Sequence, residues 1–197
     1  MRDMIQRVLD QEAEALTGAA RDLDYSQVEA VIRALKECRG KIILSACGTS
    51  AQAARKIAHT LCCAGCPALF IPPSDGLHGG MGVIEARDVV ILITKGGQTK
   101  ELVQMIGPVR AIGAKVIMVT ENEDRGIALG CDLMLKIKVK REPDPFNMLA
   151  TASTLAVIAV FDAISIDLME ELHYTKERFA RIHPEGEVGQ RLAGEAP

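Results

Sequence analysis

The sequence predicts an α/β protein: a three-layer α/β/α sandwich around a five-stranded parallel sheet, with two helices before the sheet and a long helix after it. Three observations predict it. Short apolar runs alternate along the chain with stretches of helical periodicity. The runs are continuous rather than alternating, which marks strands covered on both faces. Glycine or proline stands at the ends of the helices and runs, where a chain that must turn needs it.

The elements follow in order. Residues 4 to 38 carry apolar side chains at helical spacing (Ile5, Val8, Leu9, then Val28, Val31, Ile32, Leu35), giving two helices broken near Asp22 to Ser26, with Asp24 or Ser26 able to cap the second. Lys41 to Ser45 is the first strand, followed by a helix from Ser50 to Ala64 that Gly65 ends. Ala68 to Ile71 is the second strand, stopped by Pro72 and Pro73. Asp88 to Thr94 is the third, followed by a helix over Thr99 to Ile112 that Gly113 closes. Lys115 to Thr120 is the fourth strand, a short helix is expected near Arg125 to Leu129, and Leu133 to Val139 is the fifth strand. A long helix over Ala152 to Glu171 and a short one over Thr175 to Arg181 complete the reading. No repeat or linker divides the chain, so one domain is expected over 1–197: N-terminal helices to about 39, an α/β core over 40–140, and C-terminal helices with a tail over 141–197.

Composition narrows the function. The chain has 197 residues, 48% of them hydrophobic and 25% charged, enough to bury a core unaided. A net charge of -3 argues against nucleic acid or an anionic membrane as main partner, since both select a basic face. The N-terminus has acids where a signal peptide needs an apolar stretch, and the run Leu155 to Phe161 is too short to span a bilayer, so a cytoplasmic protein is expected. Six cysteines include the pair Cys63 and Cys66 at ligand spacing, but no second pair completes a metal site. Cys62 and Cys63 read as small core residues, and neither metal nor cofactor is expected.

In a sheet of this kind ligands bind beyond the carboxyl ends of the strands, so the strand-to-helix loops carry the chemistry. The first loop places Gly48, Thr49 and Ser50 at the start of a helix, where backbone N–H groups and hydroxyls favour an anion. The simpler reading is that Thr49 or Ser50 caps the helix. The second loop, with Thr94, Lys95, Gly96, Gly97 and Thr99, repeats the arrangement and adds a positive charge. Neither matches a nucleotide-binding fingerprint. Thr151, Ser153 and Thr154 stand at the head of the long helix, able to cap it or to complete the same cradle. Two such loops at adjacent strand ends describe a pocket for a small oxyanion.

Together these residues resemble the sugar isomerase (SIS) domain family over nearly the whole chain, which implies the flavodoxin-like SIS fold. The family's GxxS and SxSGxT loops are matched by Gly48 to Ser50 and by Thr94 to Thr99. The sequence further resembles the arabinose 5-phosphate isomerase branch in Leu77-His-Gly-Gly-Met-Gly82, Lys100-Glu-Leu102, Arg141-Glu142, Thr151 to Thr154 and the tail Phe179 to Leu192. The resemblance implies interconversion of D-arabinose 5-phosphate and D-ribulose 5-phosphate through an enediolate. It makes Glu101 and Glu142 the candidate acid/base carboxylates and His183 and His78 the candidate imidazoles. It also implies a homo-oligomer, a tetramer, in which the tail histidine enters a neighbour's site.

Three departures stand out. The branch has a lysine in its first loop where this chain has Thr49, and Lys95 in the second loop is placed to restore the charge. Gly96 stands where the family usually has a serine. The paired CBS domains of many full-length relatives are absent from the sequence, so regulation through them is not expected. Bland readings accompany the candidates: Glu101 suits the first turn of any helix, Glu142 could form a surface ion pair with Arg141, and His59 and His173 read as structural or surface residues. A 3-hexulose 6-phosphate isomerase and a phosphosugar sensor without turnover stay open as alternatives.

Overall fold

A computed structural model describes residues 1–122 and 130–194. Two helices, α1 (Arg2–Asp22) and α2 (Tyr25–Lys36), precede the sheet. Asp24 caps α2 by accepting from the Ser26 amide at 2.9 Å. Strand β1 (Ile42–Ala46) leads through α3 (Gly48–Cys63) to β2 (Ala68–Phe70). Then α4 (Pro73–Leu77) and a 3-10 turn (Gly80–Val83) precede β3 (Val89–Ile93), α5 (Lys100–Ile112), β4 (Lys115–Thr120) and β5 (Leu133–Lys136). Helices α6 (Ala152–Glu171), α7 (Lys176–Ile182) and α8 (Gly186–Gly194) follow.

The five strands are all parallel, in the order β2-β1-β3-β4-β5. Successive side chains point to opposite faces, so each strand serves two cores. Ile42, Leu44, Ile91, Ile117 and Leu135 meet α1, α2, α3 and α6 on one face, joined by Phe161, Ile164 and Leu168 of α6. Ile43, Val90, Leu92, Val116 and Met118 meet Leu102, Met105 and Val109 of α5 on the other. This two-sided burial is why the strands read as unbroken apolar runs. Helix α6 is long and apolar enough to cross a membrane by length and composition, with a mean hydropathy of 1.8. It packs instead against α1 and α3, and its Lys56–Asp162 ion pair ties it to α3.

The strands and long helices fall within two or three residues of their expected limits. The expected helix at Arg125 to Leu129 lies outside the described residues. Helices α4 and α8 and the 3-10 turn add to the expectation. They are short and rich in proline or glycine, so no periodicity announced them. One expectation about the cysteines is corrected. Cys62 is exposed and Cys63 half-buried, while Cys66 is buried. The C-terminal turn of α3 rotates Cys62 outward, where its thiol meets the Ala68 carbonyl at 3.0 Å.

The N-terminal edge of the sheet is held by Asp88, 2% exposed. Its carboxylate accepts from the amides of Lys41 at 2.7 Å and Glu85 at 2.8 Å, and Lys41 Nζ lies 3.2 Å away. Burial alone would raise this carboxyl. The two amides and the lysine outweigh it and hold Asp88 below the usual carboxylate range. This network closes the bottom of the sheet and leaves the top for ligand.

Candidate active site

The strand order reverses between β1 and β3: the chain moves outward from β1 to β2, then returns past β1 to β3. The crevice of such a fold opens above that junction. The two loops at its rim are 46–50 and 94–99, the two singled out from sequence. Gly48 has φ 59° and Gly97 φ 71°, left-handed values that side chains resist, so glycine at both is dictated by the turn.

The helices that leave these loops have no side-chain cap, as is also true of α1 and α4. Helix α3 has Cys47 at its N-cap and no side-chain cap bond. The simpler reading of Thr49 or Ser50 as caps therefore does not hold. Helix α5 has Thr99 at its N-cap, but the Thr99 hydroxyl pairs with that of Thr94 at 2.8 Å rather than with its own helix. By contrast, α2 and α7 are capped by Asp24 and Thr175. The crevice thus faces two helix ends with no side-chain cap and with the positive pole of the helix dipole, the arrangement that holds phosphate. Glu101 lies in the first turn of α5, exposed. Burial first, and then the charge of Glu101, push the Cys47 thiol up.

Glu142 is 0% exposed and is the most heavily coordinated group in the crevice. Lys95 Nζ donates to its Oε1 at 2.6 Å, and the Ser153 hydroxyl donates to the same oxygen. The amides of Thr151 and Ser153 donate to Oε2 at 3.0 and 3.3 Å. Burial pushes this carboxyl up. Lys95, Ser153 and the two amides together overcome it and hold Glu142 below the usual range. Glu142 therefore caps α6, a task the sequence assigned to the helix's own hydroxyls. Those turn elsewhere: Thr154 Oγ1 donates to the Ala150 carbonyl at 3.0 Å, and Thr151 Oγ1 is buried without a hydrogen-bond partner. The pairing of Glu142 with Arg141 as a surface ion pair does not occur. Arg141 Nε instead donates to the Glu142 backbone carbonyl at 3.4 Å.

A cleft of about 40 Å³ runs between these groups. Ser50, Thr94, Lys95, Ser153 and Thr154 line it, with Ile93, Val119, Ile137 and Val157 as its apolar floor. Five expected residues from three separate segments thus converge, whereas Gly48, Thr49, Gly96, Gly97, Thr99, Glu101 and Thr151 do not line this cleft and Glu142 reaches it through Lys95 and Ser153. His78 and His183 do not join them. His78 is exposed at the end of α4. His183 stacks on Phe179 with ring centroids 4.1 Å apart and approaches Cys63 Sγ at 3.6 Å. Cys63 ends α3 and Ser50 begins it, so this histidine stands roughly 20 Å from the cleft of its own chain at 1.5 Å per helical residue. Among the described residues no group of His, Cys, Asp and Glu side chains is arranged to hold a metal.

Sequence reasoning missed Glu121. It lines the cleft just past β4, with Oε1 3.8 Å from Lys95 Nζ. The available signal was an acid placed immediately after an unbroken apolar strand, at the carboxyl edge where ligands bind.

The fold and crevice define a parallel α/β protein with its ligand site at the strand-order switch, and residues 34–166 match the SIS domain. The chain belongs to that family. It is 32% identical over 188 residues to the arabinose 5-phosphate isomerase KpsF of Escherichia coli O6:H1 strain CFT073, an alignment covering 95% of this chain and 58% of KpsF. The chain thus spans little more than half the length of that relative. Among solved structures, a candidate sugar-phosphate isomerase from Listeria monocytogenes superposes with a TM-score of 0.90 at 44% identity, covering 93% of this chain and 96% of that one. The E. coli CFT073 protein c3406, in complex with arabinose 5-phosphate, superposes with a TM-score of 0.88 at 30% identity, covering 92% of this chain and 96% of that one.

Proposed function

We propose that this protein is a sugar-phosphate aldose–ketose isomerase that interconverts D-arabinose 5-phosphate and D-ribulose 5-phosphate through an enediolate. The observation that carries the reading is the pair of helix ends without side-chain caps, α3 and α5, facing one crevice with Glu101 in the first turn of α5. The phosphate is held by the amides at the two helix ends with Ser50, Thr94 and Thr99. Glu101 is the base that takes the proton from C2 of the aldose and returns it to C1, because it is exposed and engaged by no hydrogen bond or ion pair among the described residues. Glu142, with its oxygens already filled, is a positioning residue that sets Lys95 and Ser153 around the sugar.

Isomerisation also needs a donor to open the sugar ring, and the resemblance assigns imidazoles to that end. His183 cannot reach its own cleft, so the working enzyme is a homo-oligomer, a tetramer, in which a neighbour's tail supplies it. The exposure of Ile5 and Leu9 on α1 (56% and 55%) and of Phe146 and Met148 beside the crevice (77% and 81%) supports such contacts. We place the protein in the cytoplasm, where sugar phosphates are made and used.

The test follows turnover by NMR across pentose and hexose phosphates. Glu101→Gln and His183→Ala are each expected to lower kcat about 100-fold or more. Co-refolding the two inactive variants together should restore partial activity, since a mixed oligomer contains sites with both groups intact. Tight binding of sugar phosphate by the wild type without turnover of any would refute the enzyme and favour a sensor, a reading that the filled coordination of Glu142 supports.

A further inference from the structure

The cleft contains one acceptor that the protein leaves unused. Glu121 Oε1 is buried, and among the described residues no donor reaches it within hydrogen-bond distance. The Val139 amide serves the carboxyl group, and Lys95 Nζ lies 3.8 Å from Oε1 while donating to Glu142 at 2.6 Å. A buried oxygen without a donor is costly and persists where something else supplies the proton. The space next to it, about 40 Å³, admits about two or three water-sized groups.

We infer that Glu121 is a specificity residue that accepts a hydrogen bond from a hydroxyl of the sugar. The inference rests on the phosphosugar reading above and names the part of the substrate that this side chain reads. A phosphate dianion carries no donors and is repelled by a carboxylate, so it cannot be the group placed here. A sugar hydroxyl is a donor small enough for the space. Ser50 and Thr94 bring hydroxyls to the lining of the cleft, and Glu121 brings an acceptor. Lys95, bonded to Glu142, leaves the Glu121 oxygen free for the ligand. A cation is not the missing partner, because the lysine already stands there.

Isothermal titration with D-arabinitol 5-phosphate, an unreactive polyol phosphate, and with inorganic phosphate separates recognition of the hydroxyls from that of the phosphate. Glu121→Ala is expected to weaken the polyol phosphate about tenfold or more, the loss of one hydrogen bond to a charged acceptor. Affinity for inorganic phosphate should stay within about twofold or tighten. Equal weakening of both ligands would show that Glu121 only supports the fold of the site, and no weakening of either would show that it is not read; each result overturns the inference. Wild-type protein that binds neither ligand overturns the phosphosugar reading itself, a result seen before any variant is made. Glu121→Gln keeps the size of the side chain and the same two-ligand contrast, so a folding defect in the alanine variant leaves the test intact.

Discussion

Replacing Lys95 by alanine probes the most heavily coordinated contact in the crevice. The substitution leaves the Glu142 carboxylate at 0% exposure with the Ser153 hydroxyl and two amides but without its counter-charge. A hydrogen bond to a charged group is worth about 1.5–3 kcal/mol. The Lys95 side chain is 42% exposed, so solvent screens the pair and the loss falls to about 1–2 kcal/mol at neutral pH. For a chain of this size that lowers Tm by about 2–8 °C. The pH dependence carries the diagnosis. Glu142 is held below its unfolded value, about 4.3, so its contribution is fully present above that value and is lost as pH falls through the folded pKa. The stability gap between wild type and Lys95→Ala should therefore be constant from about pH 6 to 8 and close below about pH 4. Urea denaturation at a series of pH values measures it. A gap that is absent at about pH 7, or that persists unchanged at about pH 3, would refute the account. Sugar-phosphate affinity should fall with Lys95→Ala far more than with Lys100→Ala, since Lys100 is exposed and does not line the cleft.

The same geometry bears on a loop glycine and on the core. A Cβ at Gly96 meets nothing within 4 Å, and its backbone does not lie in the left-handed region. Gly96→Ser should therefore be accepted without strain and, by supplying the phosphate donor usual in the family, tighten inorganic phosphate binding about threefold to tenfold by titration. Phe161 is 0% exposed at the centre of the core under α6, and Phe161→Ala should cost about 3–5 kcal/mol in chemical denaturation.

The layers and the succession of elements in this fold were legible because the signals are local. The central strands are buried on both faces, so β3 is apolar from end to end and β4 from Val116 to Val119, and Gly113 at φ 95° stops α5 where the sequence said it would. The loops at the crevice were legible for the same reason, being glycine and hydroxyl residues directly between a strand and a helix. What stayed hidden is non-local. Lys95 and Glu142 are 47 positions apart, and nothing in either segment shows that the pair will meet. The environment of Glu142 followed from its loop. Asp144 accepts from the amides of Phe146, Met148 and Leu149, and Asn147 accepts from the Glu142 amide at 2.6 Å. That knot folds residues 142–149 back on themselves and turns the acid inward, against the expectation of a surface ion pair.

The departure at Thr49 acquires a physical meaning from this knot. A lysine in the first loop would project from the start of α3, whose end already carries positive polarity, and would add charge where the phosphate approaches. Here that position holds a neutral hydroxyl residue, and the cation comes from the second loop, through Lys95, to a carboxylate rather than to the phosphate end. Anion binding then depends on amides and hydroxyls, while the lysine's charge is neutralised at Glu142 and 3.8 Å from Glu121. Such a division leaves the side chains around Lys95 with one more carboxylate than lysine and confines positive polarity to the helix ends. A ligand with one anionic end and one hydroxyl-rich end is the kind of molecule that polarity selects. On the proposed function, the neutral residue at position 49 therefore bears more on how a sugar would be oriented than on whether its phosphate would be held.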